Sequence, residues 1–272
     1  MPYRTAPYWI VALLVLTAVG FWPSYFAVLG SAPWGFHLHG ITATAWIVLL
    51  GVQSWSIHHR HNALHRALGI ASLALYPLFL AGGIAVVLSM AAATAADDVF
   101  YRIYGSRLAT MDITSVILLG YLYYKALADR KRVQLHARWL LSTPLPLLVP
   151  IVGRVISHWT PGLMMHGPQD FPLFAWAVRI AGVIALAFTA WLYCTAPRHG
   201  RPFLITGLAI AGQAVLFDTL GFLPGWDAAY RAIAGMPILP LLLAALIVGA
   251  AIDWFGWQAG MRRNRRSAFN TG

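Results

Sequence analysis

Residues 37–80 read HLHGITATAWIVLLGVQSWSIHHRHNALHRALGIASLALYPLFL. This stretch decides the fold. An apolar run from Leu38 to Ser56 is followed by the polar turn IHHRHNALHR, and a second apolar run opens at Ala67. A helix crossing a hydrocarbon core of about 30 Å needs about 20 apolar residues, so the two runs predict a transmembrane helical hairpin. In lipid the backbone must satisfy its own hydrogen bonds, which leaves helices or a closed barrel. The runs are continuous instead of alternating, and that excludes the barrel. Histidines mark both mouths of the hairpin, with His37 and His39 at one and His58, His59, His61 and His65 at the other. Six of the 10 histidines therefore fall within this stretch.

Working outward, the whole chain has the same character. It is 60% hydrophobic and 10% charged, against about 25% charged residues in ordinary soluble domains. The net charge of +11 does not point to nucleic acid, because Lys and Arg sit in short loops between apolar runs. Membrane orientation requires that placement, and anionic headgroups on the cytoplasmic side are the expected partner. A single cysteine, Cys194, excludes an internal disulfide and any multi-cysteine metal site.

The predicted fold is an all-α polytopic transmembrane bundle of about eight spans, one domain over residues 1–260 with a basic tail at 261–272. The spans are expected near Tyr8–Leu29, Leu38–Ser56, Ala67–Met90, Leu108–Leu127, Trp139–Ile156, Phe171–Cys194, Phe203–Phe222 and Ile238–Phe255. Of the 19 Lys and Arg residues, all but Arg102, Arg107, Arg154, Arg179 and Arg231 then lie on the side of both termini, which places the N- and C-termini in the cytoplasm. The fifth span holds Pro144, Pro146 and Pro150 within one crossing. Each proline removes a backbone donor and crowds the carbonyl four residues back, so a bent helix that is buried or lines a cavity is expected.

Charged groups inside spans are costly and need partners. Asp112 and Arg154 are expected at similar depth on neighbouring helices, and Asp218 within reach of Arg179. With His37, His39 and His158 they form an outer polar layer that is either a set of buried ion pairs or a site for substrate, proton or cofactor. On the cytoplasmic side, His65-Arg66 and His136-Ala137-Arg138 each open an apolar span. His65 and His136 are expected to approach one another as a cofactor site, with Arg66 and Arg138 placed to hold anionic groups such as propionates.

This arrangement resembles the ascorbate-reducible diheme b-type cytochromes, in which histidines on four consecutive helices bind haem on both sides of the membrane. It is also similar to uncharacterised polytopic proteins of the bacterial inner membrane that share the HR-x-x-G start of one helix, here His65-Arg66-Ala67-Leu68-Gly69. The resemblance implies haem b, transmembrane electron transfer, a redox partner or quinone, and His39 and His158 as further ligands. The chain departs from the cytochrome pattern in its fourth span, which carries Met111 and Asp112 where a histidine partner for His39 is expected. Two other functions compete. A metal-dependent intramembrane hydrolase would hold zinc on His37, His39, Asp112 and His158, although no H-x-x-x-H pair is present. A non-catalytic transport or assembly protein would use the proline-broken span and the Arg–Asp pairs, although no inverted repeat is visible.

Overall fold

A computed structural model describes residues 3–196 and 198–269, with side chains given as far as Arg262. All regular structure among these residues is helical. The elements are α1 (Ala6–Phe21), α2 (Trp34–His58), α3 (Asn62–Ala95), α4 (Tyr101–Ala128), α5 (Val133–Ser142), α6 (Leu148–Trp159), α7 (Phe171–Cys194), α8 (Arg201–Asp218), α9 (Pro224–Ile233) and α10 (Ile238–Phe269). Among the described residues, six stretches are long and apolar enough to cross a membrane: α2, α3, Val133–Trp159, Pro168–Cys194, Arg201–Phe222 and Ile238–Arg262.

Two of the expected spans fall short of that standard for physical reasons. The first was expected to run to Leu29, but α1 stops at Phe21 after 16 residues. Pro23 follows and cannot donate the hydrogen bond that would continue the helix. The fourth, α4, is 28 residues long but carries Arg102, Arg107, Asp112 and Lys125 on one helix. It also begins earlier than expected, because Asp98 Oδ1 accepts hydrogen bonds from the Phe100 and Tyr101 amides (3.0 and 3.1 Å) and organises the turn before it. The expected tail at 261 is a continuation of α10, whose backbone stays helical to Phe269.

The 37–80 hairpin folds as two antiparallel helices. Arg60 takes a left-handed φ of 62°, and the His61 amide donates to the Ser56 carbonyl (2.8 Å), closing α2 much as a Schellman turn would. At the other end α2 and α3 approach so closely that a Cβ on Gly35 would collide with Ala85 and Ser89. Small residues permit such contacts where lipid supplies no hydrophobic drive between helices. Gly249 of α10 meets Pro77 of α3 in the same way, and Gly256 meets Leu127 and Tyr124 of α4.

The prolines break the fifth span as the sequence predicts. α5 ends at Ser142, a tight turn covers Leu145–Leu147, and α6 resumes at Leu148. The Thr143 hydroxyl donates to the Leu140 carbonyl and accepts from Trp46 Nε1 (2.7 and 3.0 Å), which re-satisfies polar groups at the break. Beyond α8 lies a short helix, α9, over a segment that the sequence reading leaves unassigned. Its Tyr230 is fully buried and donates to the Val87 carbonyl (3.1 Å), and burial raises the pKa of that phenol. Arg231 bridges Asp227 and Asp97 (2.8 and 2.9 Å), and those carboxylates hold its guanidinium pKa above the usual value.

Candidate functional site

A cavity of about 800 Å³ opens at the His37 end of the bundle, between α1, α2, α3, α4 and the proline-broken α5–α6 unit. That volume lies within the range of small-molecule and cofactor sites, about 300–1,000 Å³. The break creates one wall: Thr143, Pro146, Leu147, Pro150 and Arg154 all face the cavity. Gly40 and Gly83 thin the walls on α2 and α3. Most of the lining is apolar, and its rim includes Ile41 and Val48, which are 67% and 43% exposed on the outside of the bundle.

Four of the sequence-predicted residues meet here. His37 shares a hydrogen bond with Tyr25, whose hydroxyl lies 2.8 Å from Nδ1. His39 stacks on Phe79 with ring centroids 6.1 Å apart, and its Nδ1 is buried with no hydrogen-bond partner. Asp112 reaches the cavity from α4 and Arg154 from α6. The expected Asp112–Arg154 contact is not a direct ion pair in the structure. Arg154 Nη1 donates instead to the Pro150 carbonyl (3.2 Å), and its guanidinium lies over the Phe21 ring at 4.3 Å. Both charges therefore face the same space without touching. His158 lies in the last turn of α6, one turn beyond Arg154, and does not line the cavity. Among the described residues no three His, Cys, Asp or Glu side chains gather closely enough to hold a metal, so His37, His39, Asp112 and His158 do not assemble the expected zinc site.

Arg179 and Asp218 form a two-pronged pair, Nε to Oδ2 and Nη2 to Oδ1, both 2.9 Å. Its third member is not apparent from the sequence. Arg107 also donates to Asp218 Oδ1 (2.8 Å) and to the Phe217 carbonyl (3.2 Å), with the Phe217 and Phe222 rings at 4.0 and 4.2 Å from its guanidinium carbon. Its proximity to the end of α8 was hidden because Arg107 precedes the apolar run of α4 and reads as a loop residue.

At the opposite end, His65 and His136 lie near enough for the charge on one ring to act on the other. Each Nδ1 meets a backbone carbonyl, of Gln53 (3.3 Å) and of Ala126 (2.9 Å). Donation from Nδ1 leaves Nε2 as the free lone pair, the tautomer a metal ligand requires. Arg138 turns away from this pair. It donates to the Gln134 carbonyl and side chain (2.7 and 2.6 Å) and lies over the Tyr3 ring at 5.2 Å, while Arg66 is exposed. Burial raises the pKa of the Tyr3 phenol, and Arg138 acts against that shift. His59 and His61 stack on Trp55 at 4.8 and 5.1 Å, and His58 and His59 bond to carbonyls of their own helix. Those three histidines finish α2.

No family model, curated protein or solved structure matches this chain. The function therefore rests on the chemistry of the two ends.

Asp253 is the other buried group that the sequence reading passed over. It is the sole acidic residue of α10 and is 9% exposed. An intramembrane carboxylate in an otherwise apolar run is the signal that would have found it.

Proposed function

We propose that this integral membrane protein binds a lipid-soluble quinone in the cavity at its His37 end and serves transmembrane electron transfer. The observation that carries the reading is the cavity itself: large, mostly apolar, with Ile41 and Val48 of its lining exposed on the outside of the bundle, and with Asp112 and Arg154 as its charged groups beside His37 and His39. A quinone offers two carbonyl acceptors on a flat ring, and imidazole and guanidinium are suitable donors. Its isoprenoid tail belongs against the apolar walls and leaves through the rim beside Ile41 and Val48. Charge balance favours a neutral head. The cavity holds one guanidinium and one carboxyl, so an anionic ligand would upset a set that already sums to zero.

The test is equilibrium binding of a short-tailed quinone to the detergent-purified chain. Saturable binding is expected, weakened at least about tenfold in Arg154→Gln, the scale of losing one charged hydrogen bond. No binding by the wild type, or equal affinity in the variant, would remove the proposal.

A second reading follows from the His65–His136 pair, whose Nδ1 contacts leave both Nε2 atoms to face a haem iron at the cytoplasmic end. It predicts a Soret band that vanishes in His65→Ala and in His136→Ala. An unchanged spectrum would leave these histidines as fasteners of the helix ends.

Both readings share a topology of eight passes in the bacterial inner membrane, with both termini and the basic loops in the cytoplasm. The alternation of the helices and the clustering of Lys and Arg support it. In a Cys194→Ser background, cysteines placed at Arg132 and at Asp98 are expected to label from opposite sides of the membrane.

A further inference from the structure

A second polar site lies away from the cavity, where α3, α4 and α10 pack in the half of the bundle nearer His65. Asp253 of α10 is buried there, and its Oδ1 has no hydrogen-bond partner. Among the described residues it makes no ion pair with any Lys, Arg or His. Tyr76 of α3 is fully buried, and its hydroxyl is likewise unpartnered. Tyr123 of α4 lies against it with ring centroids 4.3 Å apart and planes inclined by only 33°, so the two phenols run side by side. The Tyr123 hydroxyl is 2.9 Å from the Ser72 hydroxyl. Asp253 lies close enough to both tyrosines to act on them electrostatically. Gly120 leaves the space that the Tyr76 hydroxyl occupies, and Trp46 of α2 closes the far side, 5.1 Å edge-on from Tyr123.

Two orphaned oxygens in one buried cluster are unusual, since buried polar groups are nearly always paired. A carboxylate with no counter-charge in the bilayer interior is costlier still, even with the Tyr123 hydroxyl within its reach. The side chains clustered with it carry oxygen: the phenols of Tyr76 and Tyr123, and the Ser72 hydroxyl bonded to Tyr123. Oxygen donors without nitrogen or sulfur select hard cations. One carboxylate among neutral hydroxyls supplies a single negative charge, whereas calcium and magnesium sites draw on more carboxylates or on retained water. We propose that Asp253, Tyr76, Tyr123 and Ser72 form an intramembrane binding site for a hard monovalent metal cation, with sodium as the probe. The site is independent of the quinone cavity, from which all four residues are absent.

A cation that binds only the folded protein raises its melting temperature by mass action. The experiment follows thermal unfolding of the full-length chain in detergent while sodium chloride replaces choline chloride at constant ionic strength. A saturable rise with sodium is expected in the wild type and none in Asp253→Asn. Tyr76→Phe is expected to need about tenfold more sodium for half the effect, as for loss of one ligand to a charge. Identical melting in sodium and choline would overturn the site, as would a sodium response that survives Asp253→Asn. A wild type that responds to pH but not to sodium means the carboxyl takes up a proton, and that also overturns it. If Asp253→Asn does not fold, sodium-23 line broadening by the wild type decides: its absence, or its persistence in Tyr76→Phe at unchanged affinity, refutes the assignment.

Discussion

Two arginine–carboxylate groups lie at the same end of this bundle and are built in opposite ways. Around Asp218 every strong donor is used: Arg179 grips the carboxylate with two nitrogens, Arg107 adds a third bond, and two phenylalanine rings lie close to the Arg107 guanidinium. Around Arg154 almost nothing is closed. The guanidinium rests on one ring and one carbonyl of its own helix, and Asp112 faces the same cavity without reaching it. Equal chemistry at similar depth thus ends as a fastener in one place and as an open surface in the other. The break in α5–α6 makes the difference. Three prolines and Gly153 draw the Arg154 wall away from α2 and α4, whereas α8 ends flush against α4, with Gly221 touching Arg107.

That contrast predicts opposite outcomes for two substitutions. Asp218→Asn leaves two arginines without counter-charge, and breaking such a pair is expected to cost about 3 kcal/mol, the lower end for buried pairs because Asp218 and Arg179 are each about a third exposed. A large fall in thermal stability with quinone binding still measurable is the expected result. Arg154→Met removes a charge that no carboxylate pairs. Its stability is expected to fall by less than that of Asp218→Asn, because no charged hydrogen bond to a carboxylate is broken, although Asp112 is left as the one charge in the cavity. Binding should be lost all the same. If Arg154→Met proves the less stable of the two, Arg154 is structural and the comparison fails.

How much of this was legible beforehand differs between the two groups. Run length and continuity made the membrane helices readable, and the prolines announced the break and its wall. The residues of the cavity were named from cost alone, as charges that membranes do not tolerate without reason. Contact is another matter. Asp112 and Arg154 were at the right depth, but depth leaves the angle around each helix open, and a few tens of degrees separate an ion pair from a shared cavity. Arg107 was missed because its apolar run begins only at the next residue. Asp253 was missed because it lies among Ala, Ile and Trp with no second charge nearby to suggest a partner. The end of α1 is hidden in the sequence because the aromatic run Phe21–Phe26 prolongs the apolar stretch, although Pro23 within it ends the helix.

The smallest expected effect bears on which side of the cavity holds the ligand head. Tyr25 and His37 share one hydrogen bond of 2.8 Å, and their rings also pack, with centroids 5.5 Å apart. Tyr25→Phe removes the hydroxyl and keeps the ring. One neutral hydrogen bond is worth about 0.5–1.5 kcal/mol, so stability should fall by no more than that. Binding is the sharper readout. When the tyrosine hydroxyl occupies Nδ1, it fixes the tautomer and orientation that His37 presents through its other nitrogen. If that nitrogen meets a quinone carbonyl, the variant should bind about three- to tenfold more weakly, well short of the loss in Arg154→Met. Unchanged affinity would show that the head lies between His39 and Arg154 alone. His37 and Tyr25 would then act like the Asp218 group, as a closed contact that holds the turn after α1 against α2.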